Sequence, residues 1–131
     1  SGTASEYFVN GIKAHMDQMA TFDAAAAVSA TDRDTNATLR AALFIGSEMA
    51  EINYEFWIAS FMNGPEAFAN FRRTGFPTLD PNPYPGSEVP GGFINRLTYP
   101  NSEISVNGTN VQAAIAAQGA DNLATKVWWA K

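Results

Sequence analysis

Arg72 and Arg73 stand side by side and are the leading candidates for chemistry in this chain. Forked guanidinium groups grip carboxylates or phosphates in pairs of hydrogen bonds. The competing reading is structural: one of them pairs with Glu51 or Glu55, or with carbonyls of the loop that follows, and pins that loop down. On that reading Arg73→Ala lowers thermal stability and leaves ligand affinity in an intact parent unchanged. Asp32, Asp34 and Asn36 have the one-three-five spacing of a calcium loop. Ala37 and Leu43, however, occupy the positions that such a loop gives to glycine and glutamate, so the run reads as capping and turn residues. Glu48, Glu51 and Glu55 share one arc and could be imagined as a carboxylate pair for glycoside cleavage. No device to separate their acidities is visible, and a solvated or arginine-paired face is the expectation. His15, the single histidine, lies on an apolar stripe and reads as a core residue. The sequence therefore assigns no catalytic residue, no metal ligand and no cofactor.

Aromatic side chains offer a different chemistry. Trp128, Trp129, Tyr84, Phe76 and Tyr99 could stack on the C–H faces of pyranose rings, although aromatics in ordered loops serve more often as packing anchors. Adjacent tryptophans on an extended terminus point opposite ways, which would leave one of the pair exposed. Asn36-Ala37-Thr38 and Asn107-Gly108-Thr109 match the glycosylation pattern, but both asparagines read as helix caps. None of these residues is assigned to a ligand.

Composition narrows the classes. Hydrophobic residues make up 46% of 131, enough for a globular core, and 13 acids against 8 bases give a net charge of −5. There is no basic stripe to follow a phosphate backbone, so no nucleic-acid partner is expected. The absence of cysteine removes disulfides, thiol catalysis and thiolate metal sites. No run of 18 apolar residues could cross a bilayer. A start at Ser1-Gly2-Thr3 without methionine reads as a fragment or a processed chain.

The elements that would position these groups are mostly helical. Phe8, Ile12, His15, Met16, Met19 and Phe22 recur at helical spacing and predict a helix over residues 4–22. The run from Ala24 to Ala27 extends it or makes a short second one, and 31–36 reads as a polar break. A second helix is predicted from about Thr38 to Met62, capped by Asn36 and apolar on two sides, hence largely buried. Such a helix predicts packing against helices missing from this chain, so the fragment alone should dimerise or need its partner. Asn63-Gly64-Pro65 ends that helix, with Gly64 suited to a left-handed turn, and starts a third that runs to Thr74 and stops at Gly75. Arg72 and Arg73 fall in its last turn, where they complement the helix dipole. Residues 76–106 are dense in proline and glycine yet carry Phe76, Leu79, Tyr84, Val89, Phe93, Ile94, Leu97, Tyr99 and Ile104, and are expected to form an ordered strap against the helices. A fourth helix from about Gly108 to Gln118 follows, capped by Asn107 and ended by Gly119. The fold class is mainly α, a few packed helices with a long ordered Pro/Gly-rich loop.

Four motifs, in this order and spacing, carry a family resemblance. They are Glu66-Ala67-Phe68 through Arg72-Arg73-Thr74-Gly75-Phe76-Pro77; Arg96-Leu97-Thr98-Tyr99-Pro100-Asn101-Ser102-Glu103; Asn110-Val111-Gln112-Ala113-Ala114-Ile115 with Asn107, Gly119 and Asp121; and Thr125-Lys126-Val127-Trp128-Trp129. Glu6-Tyr7-Phe8 with Gly11-Ile12 is similar to the helix that precedes this block. Together they resemble the C-terminal end of the SusD/RagB family of bacterial outer-membrane lipoproteins, with Phe68 where many members have tryptophan and Ala130 in place of a more usual acid. The resemblance implies a surface-exposed, lipid-anchored protein that binds glycans or other nutrients without catalysis and acts as a lid over a SusC-like TonB-dependent transporter. It implies one C-terminal segment over 1–131, with tetratricopeptide-like N-terminal helices, most glycan-contacting aromatics and the lipid anchor lying outside it. A helical protein-interaction scaffold without a small ligand is the alternative, and a hydrolase, supported only by the acids, is a weaker third.

Overall fold

The computed structural model describes residues 2–130, and its order of elements is five α-helices, two single 3₁₀ turns and long irregular connections, with no strand among the described residues. The helices are α1 (Ala4–Phe22), α2 (Ala30–Phe44), α3 (Glu48–Ala59), α4 (Gly64–Thr74) and α5 (Asn101–Gln118). The mainly α class expected from the sequence is what is found. The chain divides into two compact units, Ser1–Phe71 and Arg72–Lys131.

In the first unit α1 begins at a capping box. The Thr3 hydroxyl accepts from the Glu6 amide, and the Glu6 carboxylate accepts from the Thr3 amide at 2.6 Å. Asp23 closes the helix and caps the 3₁₀ turn Ala24–Ala26 through the Ala25 amide. α1 and α2 then pack antiparallel, as three cross-links with opposed numbering require. Phe8 stacks on Phe44 with ring centroids 4.5 Å apart, Lys13 pairs with Asp34, and Arg33 grips both oxygens of Asp17. Fully buried Ala37, with Ile12 and Phe44, forms the small core of this unit.

Three expectations for this region are corrected. Residues 31–36 are not a break but the first turns of α2, because Ser29 accepts from the Asp32 amide at 3.1 Å and starts the helix eight residues before the expected start at Thr38. Asn36 is therefore inside a helix and caps nothing. The predicted helix over 38–62 is two helices: Gly46 takes φ +83°, a left-handed conformation open to glycine, and breaks the chain between α2 and α3. Within this chain Leu39, Leu43, Met49, Ile52, Phe56 and Phe61 all remain exposed.

α4 is tied to α3 by two buried amides. Asn70 donates to the Asn53 side-chain oxygen at 3.0 Å, and Asn53 donates back to the Met49 carbonyl at 2.6 Å. The left-handed residue between these helices is Met62, at φ +69°, and not Gly64 as expected, which already lies in the helix.

In the second unit the last turn of α4 stops at Gly75, φ +75°. The irregular strap runs from there to Pro100 and includes a cis Phe76–Pro77 bond. It is six residues shorter than expected, because 101–106 are helical. α5 starts after Pro100 without a side-chain cap and kinks at Asn107 (φ −128°, ψ 32°), where the sequence placed a helix start. Gly119, at φ +113°, ends it as expected.

Candidate functional site

The strap and the C-terminal turn meet through one network within the second unit. Asn95 donates its amide to the Leu123 carbonyl at 2.7 Å and its side-chain nitrogen to the Ala124 carbonyl at 2.9 Å. Arg96, only 8% exposed, donates from Nε to the Leu97 carbonyl and from Nη2 to Asp121 at 2.9 Å. Asp121 in turn accepts the Tyr99 amide at 3.2 Å, and the Tyr99 ring lies 4.9 Å from the Arg96 guanidinium. Arg72 reaches back from α4 to donate to the Asn95 carbonyl, and its guanidinium stacks 4.9 Å over the Trp129 ring. Irregular backbone exposes carbonyls that no helix or sheet satisfies, and guanidinium groups supply the missing donors.

This geometry separates the two arginines. Arg72 takes the structural role foreseen for the pair and holds a loop carbonyl; Arg73 is exposed. Glu51 and Glu55 both pair instead with Arg40 of α2, which also lies 4.8 Å from the Tyr54 ring. Arg40 was not singled out from the sequence. Its signal was a base near the end of one helix adjoining a run of acids on the next, legible only once α2 and α3 are two helices. Arg96 was quoted only as part of a motif, and its partner lies 25 residues downstream.

The remaining candidates are dispersed. Glu48 accepts the Gly46 amide at 3.0 Å, and this bond, with its own amide, holds its carboxyl below the usual range. Asp34 is also held low, chiefly by Arg33 and then by Lys13. Asp32, Asp34 and Asn36 are on α2, where successive even positions point to opposite sides, so the calcium-loop spacing does not converge on a point. Among the described residues no group of three or more His, Asp or Glu side chains could hold a metal ion. Half-buried His15 stands in the wall of a groove between α1 and α3. Asn36 and Asn107 both fall within helical spans.

The aromatics sort by exposure. Phe76 and Tyr99 are half-buried, and Trp129 is under Arg72. Trp128 is 80% exposed and Tyr84 70%. The terminal tryptophans form a 3₁₀ turn, Trp128–Ala130, not an extended end, yet they still divide into one pinned ring and one presented to solvent.

What these features define is a helical scaffold in which Asp17, Asp34, Glu51, Glu55 and Asp121 are each paired with an arginine. A family profile described as SusD-like, "Susd and RagB outer membrane lipoprotein", matches residues 47–130. A solved structure named as a chitin-binding protein superposes on 100% of this chain with TM-score 0.84 at 32% identity. The chain belongs to the SusD/RagB family of outer-membrane lipoproteins. It spans 29% of the length of that solved chain. No curated protein sequence matches it.

Proposed function

We propose that this chain is the C-terminal segment of a larger lipoprotein that binds glycans at the bacterial surface without catalysis, and that the parent works with a TonB-dependent transporter of the SusC type. The observation that carries the reading is the 32% identity with a chitin-binding protein over the whole chain. The electrostatics are compatible with a neutral ligand: a net charge of −5 repels polyanions, and Asp17, Glu51, Glu55 and Asp121 are paired with arginines. Glycoside cleavage needs one carboxyl kept protonated beside one kept ionised. Asp34 and Glu48 are both pushed downward, the first by Arg33 and the second by backbone amides. The role of this segment is then to support the ligand-bearing part of the parent, with lipid anchorage supplied outside these residues.

Affinity electrophoresis of the full-length parent through gels containing soluble polysaccharides and glycol chitin tests the reading. Retardation by at least one neutral glycan, without release of reducing sugar, is the expected result. Migration unaffected by every polysaccharide would favour the scaffold alternative. Sugar release abolished by Glu→Gln changes would overturn the non-enzymatic assignment.

A further inference from the structure

Three asparagines, Asn10, Asn63 and Asn107, each stand directly before a glycine. Such a pair brings a side-chain carbonyl next to a backbone nitrogen that no Cβ shields. The glycine nitrogen can attack that carbonyl carbon and close a five-membered imide. Two conditions control the step. The asparagine side chain must be free to turn towards the backbone, and the glycine N–H must not be committed to an acceptor.

The fold grants these conditions unequally. Asn10 and Gly11 lie inside α1, where the Gly11 amide is committed to the carbonyl four residues back. Asn107 stands at the kink of α5, but its side chain is held at both ends. It donates to the Glu103 carboxylate at 2.8 Å and accepts from the Asn110 side chain at 2.5 Å. Asn63 differs from both. It is exposed and lies one residue before α4, so Gly64 takes the first helical position, where an amide has no partner within the helix. The main chain of Asn63 is fixed, donating to the Ser60 carbonyl at 2.8 Å and accepting from the Ala67 amide at 3.1 Å. Among the described residues none bonds its side chain or the Gly64 amide.

We infer that Asn63 is a site of spontaneous deamidation, proceeding through the cyclic imide with water as the co-reactant. The Gly64 nitrogen forms a bond to Asn63 Cγ, the Cγ–Nδ2 bond breaks, and the Gly64 proton leaves with the ammonia. Water then adds to either carbonyl of the imide and opens it to aspartate or to isoaspartate. The two products act differently on the fold. Aspartate places a negative charge at the start of α4, where the helix dipole favours it. Isoaspartate adds a backbone carbon between α3 and α4, the helices that the Asn70–Asn53 bond of 3.0 Å aligns. None of this depends on the glycan reading.

Ageing the full-length parent in water enriched in heavy oxygen, followed by peptide mapping in a mass spectrometer, tests the inference. Heavy oxygen should enter at Asn63 several-fold faster than at Asn10 or Asn107, as a mixture of aspartyl and isoaspartyl peptides. Gly64→Ala should suppress the exchange and keep the fold, because an added Cβ there meets no other group within 4 Å and alanine favours a helix. An unchanged Asn63, faster conversion of Asn10 or Asn107, or aspartate without isoaspartate would overturn the assignment. So would an undiminished rate in Gly64→Ala.

Discussion

The first and second units use arginine in opposite ways. Arg33 and Arg40, on a regular helix, spend their donors on carboxylates, Asp17 of α1 and Asp34 of the same helix for one and Glu51 and Glu55 of α3 for the other. Arg72 and Arg96 direct donors at main-chain carbonyls of the strap, Asn95 and Leu97, and Arg96 adds a carboxylate, Asp121. The difference follows from the backbone. A helix has already satisfied its carbonyls, so a guanidinium nearby is free for side chains. An irregular strap has not, and a buried carbonyl left unpaired costs more than a surface ion pair returns.

The largest effect that would sharpen this contrast is expected from Arg96→Ala. Removing a guanidinium that is 8% exposed strips the Leu97 carbonyl and leaves Asp121 with its charge uncompensated, a loss of about 3–4 kcal/mol in urea unfolding. Arg72→Ala should cost about 2–3 kcal/mol by the same measurement, more than Arg73→Ala, because Arg72 is half-buried and donates to the Asn95 carbonyl while Arg73 is exposed. Equal losses for the two would break the reading. Arg40→Ala, in the first unit, should cost about 1–2 kcal/mol, since its carboxylates can regain water at the surface. A loss exceeding that of Arg96→Ala would reverse the comparison. Ser29→Ala removes the cap of α2 and should lower stability by about 1 kcal/mol, with a matching drop in helical circular dichroism.

Acidification should have the smallest effect. The carboxyls of Asp34 and Glu48 are depressed in the folded state, so the stability they contribute is present above the unfolded value, near pH 4, and is lost as pH falls through the lower folded value. Melting temperature measured from pH 6 down to pH 3 should therefore fall, and Asp34→Asn should flatten part of that slope. A slope unaltered in this variant would remove Asp34 from the account.

Much of the fold could be read from sequence where a local signal was sufficient. α1 followed from its apolar period, the stop of α4 from Gly75, and the end of α5 from Gly119. The failures lie where two local signals compete. Gly46 sits in a run apolar enough to disguise a break, and its left-handed backbone prevailed. The Asp- and Thr-rich 31–36 looked like a turn until Ser29 supplied a cap and Asp17 and Lys13 supplied partners for Arg33 and Asp34. The candidate site was less legible than the fold, because what Arg72, Arg96 and Arg40 hold depends on carbonyls and acids 11 to 25 residues away. A sequence pattern does not report those distances.

The paired amides of Asn53 and Asn70 have a consequence for how α3 and α4 can be aligned. Were one helix to slide a single turn along the other, the bond from Asn70 to the Asn53 oxygen would break, while Asn53 kept its bond to Met49 within its own helix. Leucines at the two positions could strengthen the contact yet would tolerate several offsets. The asparagines act as a key in a slot, admitting one axial position and rejecting its neighbours.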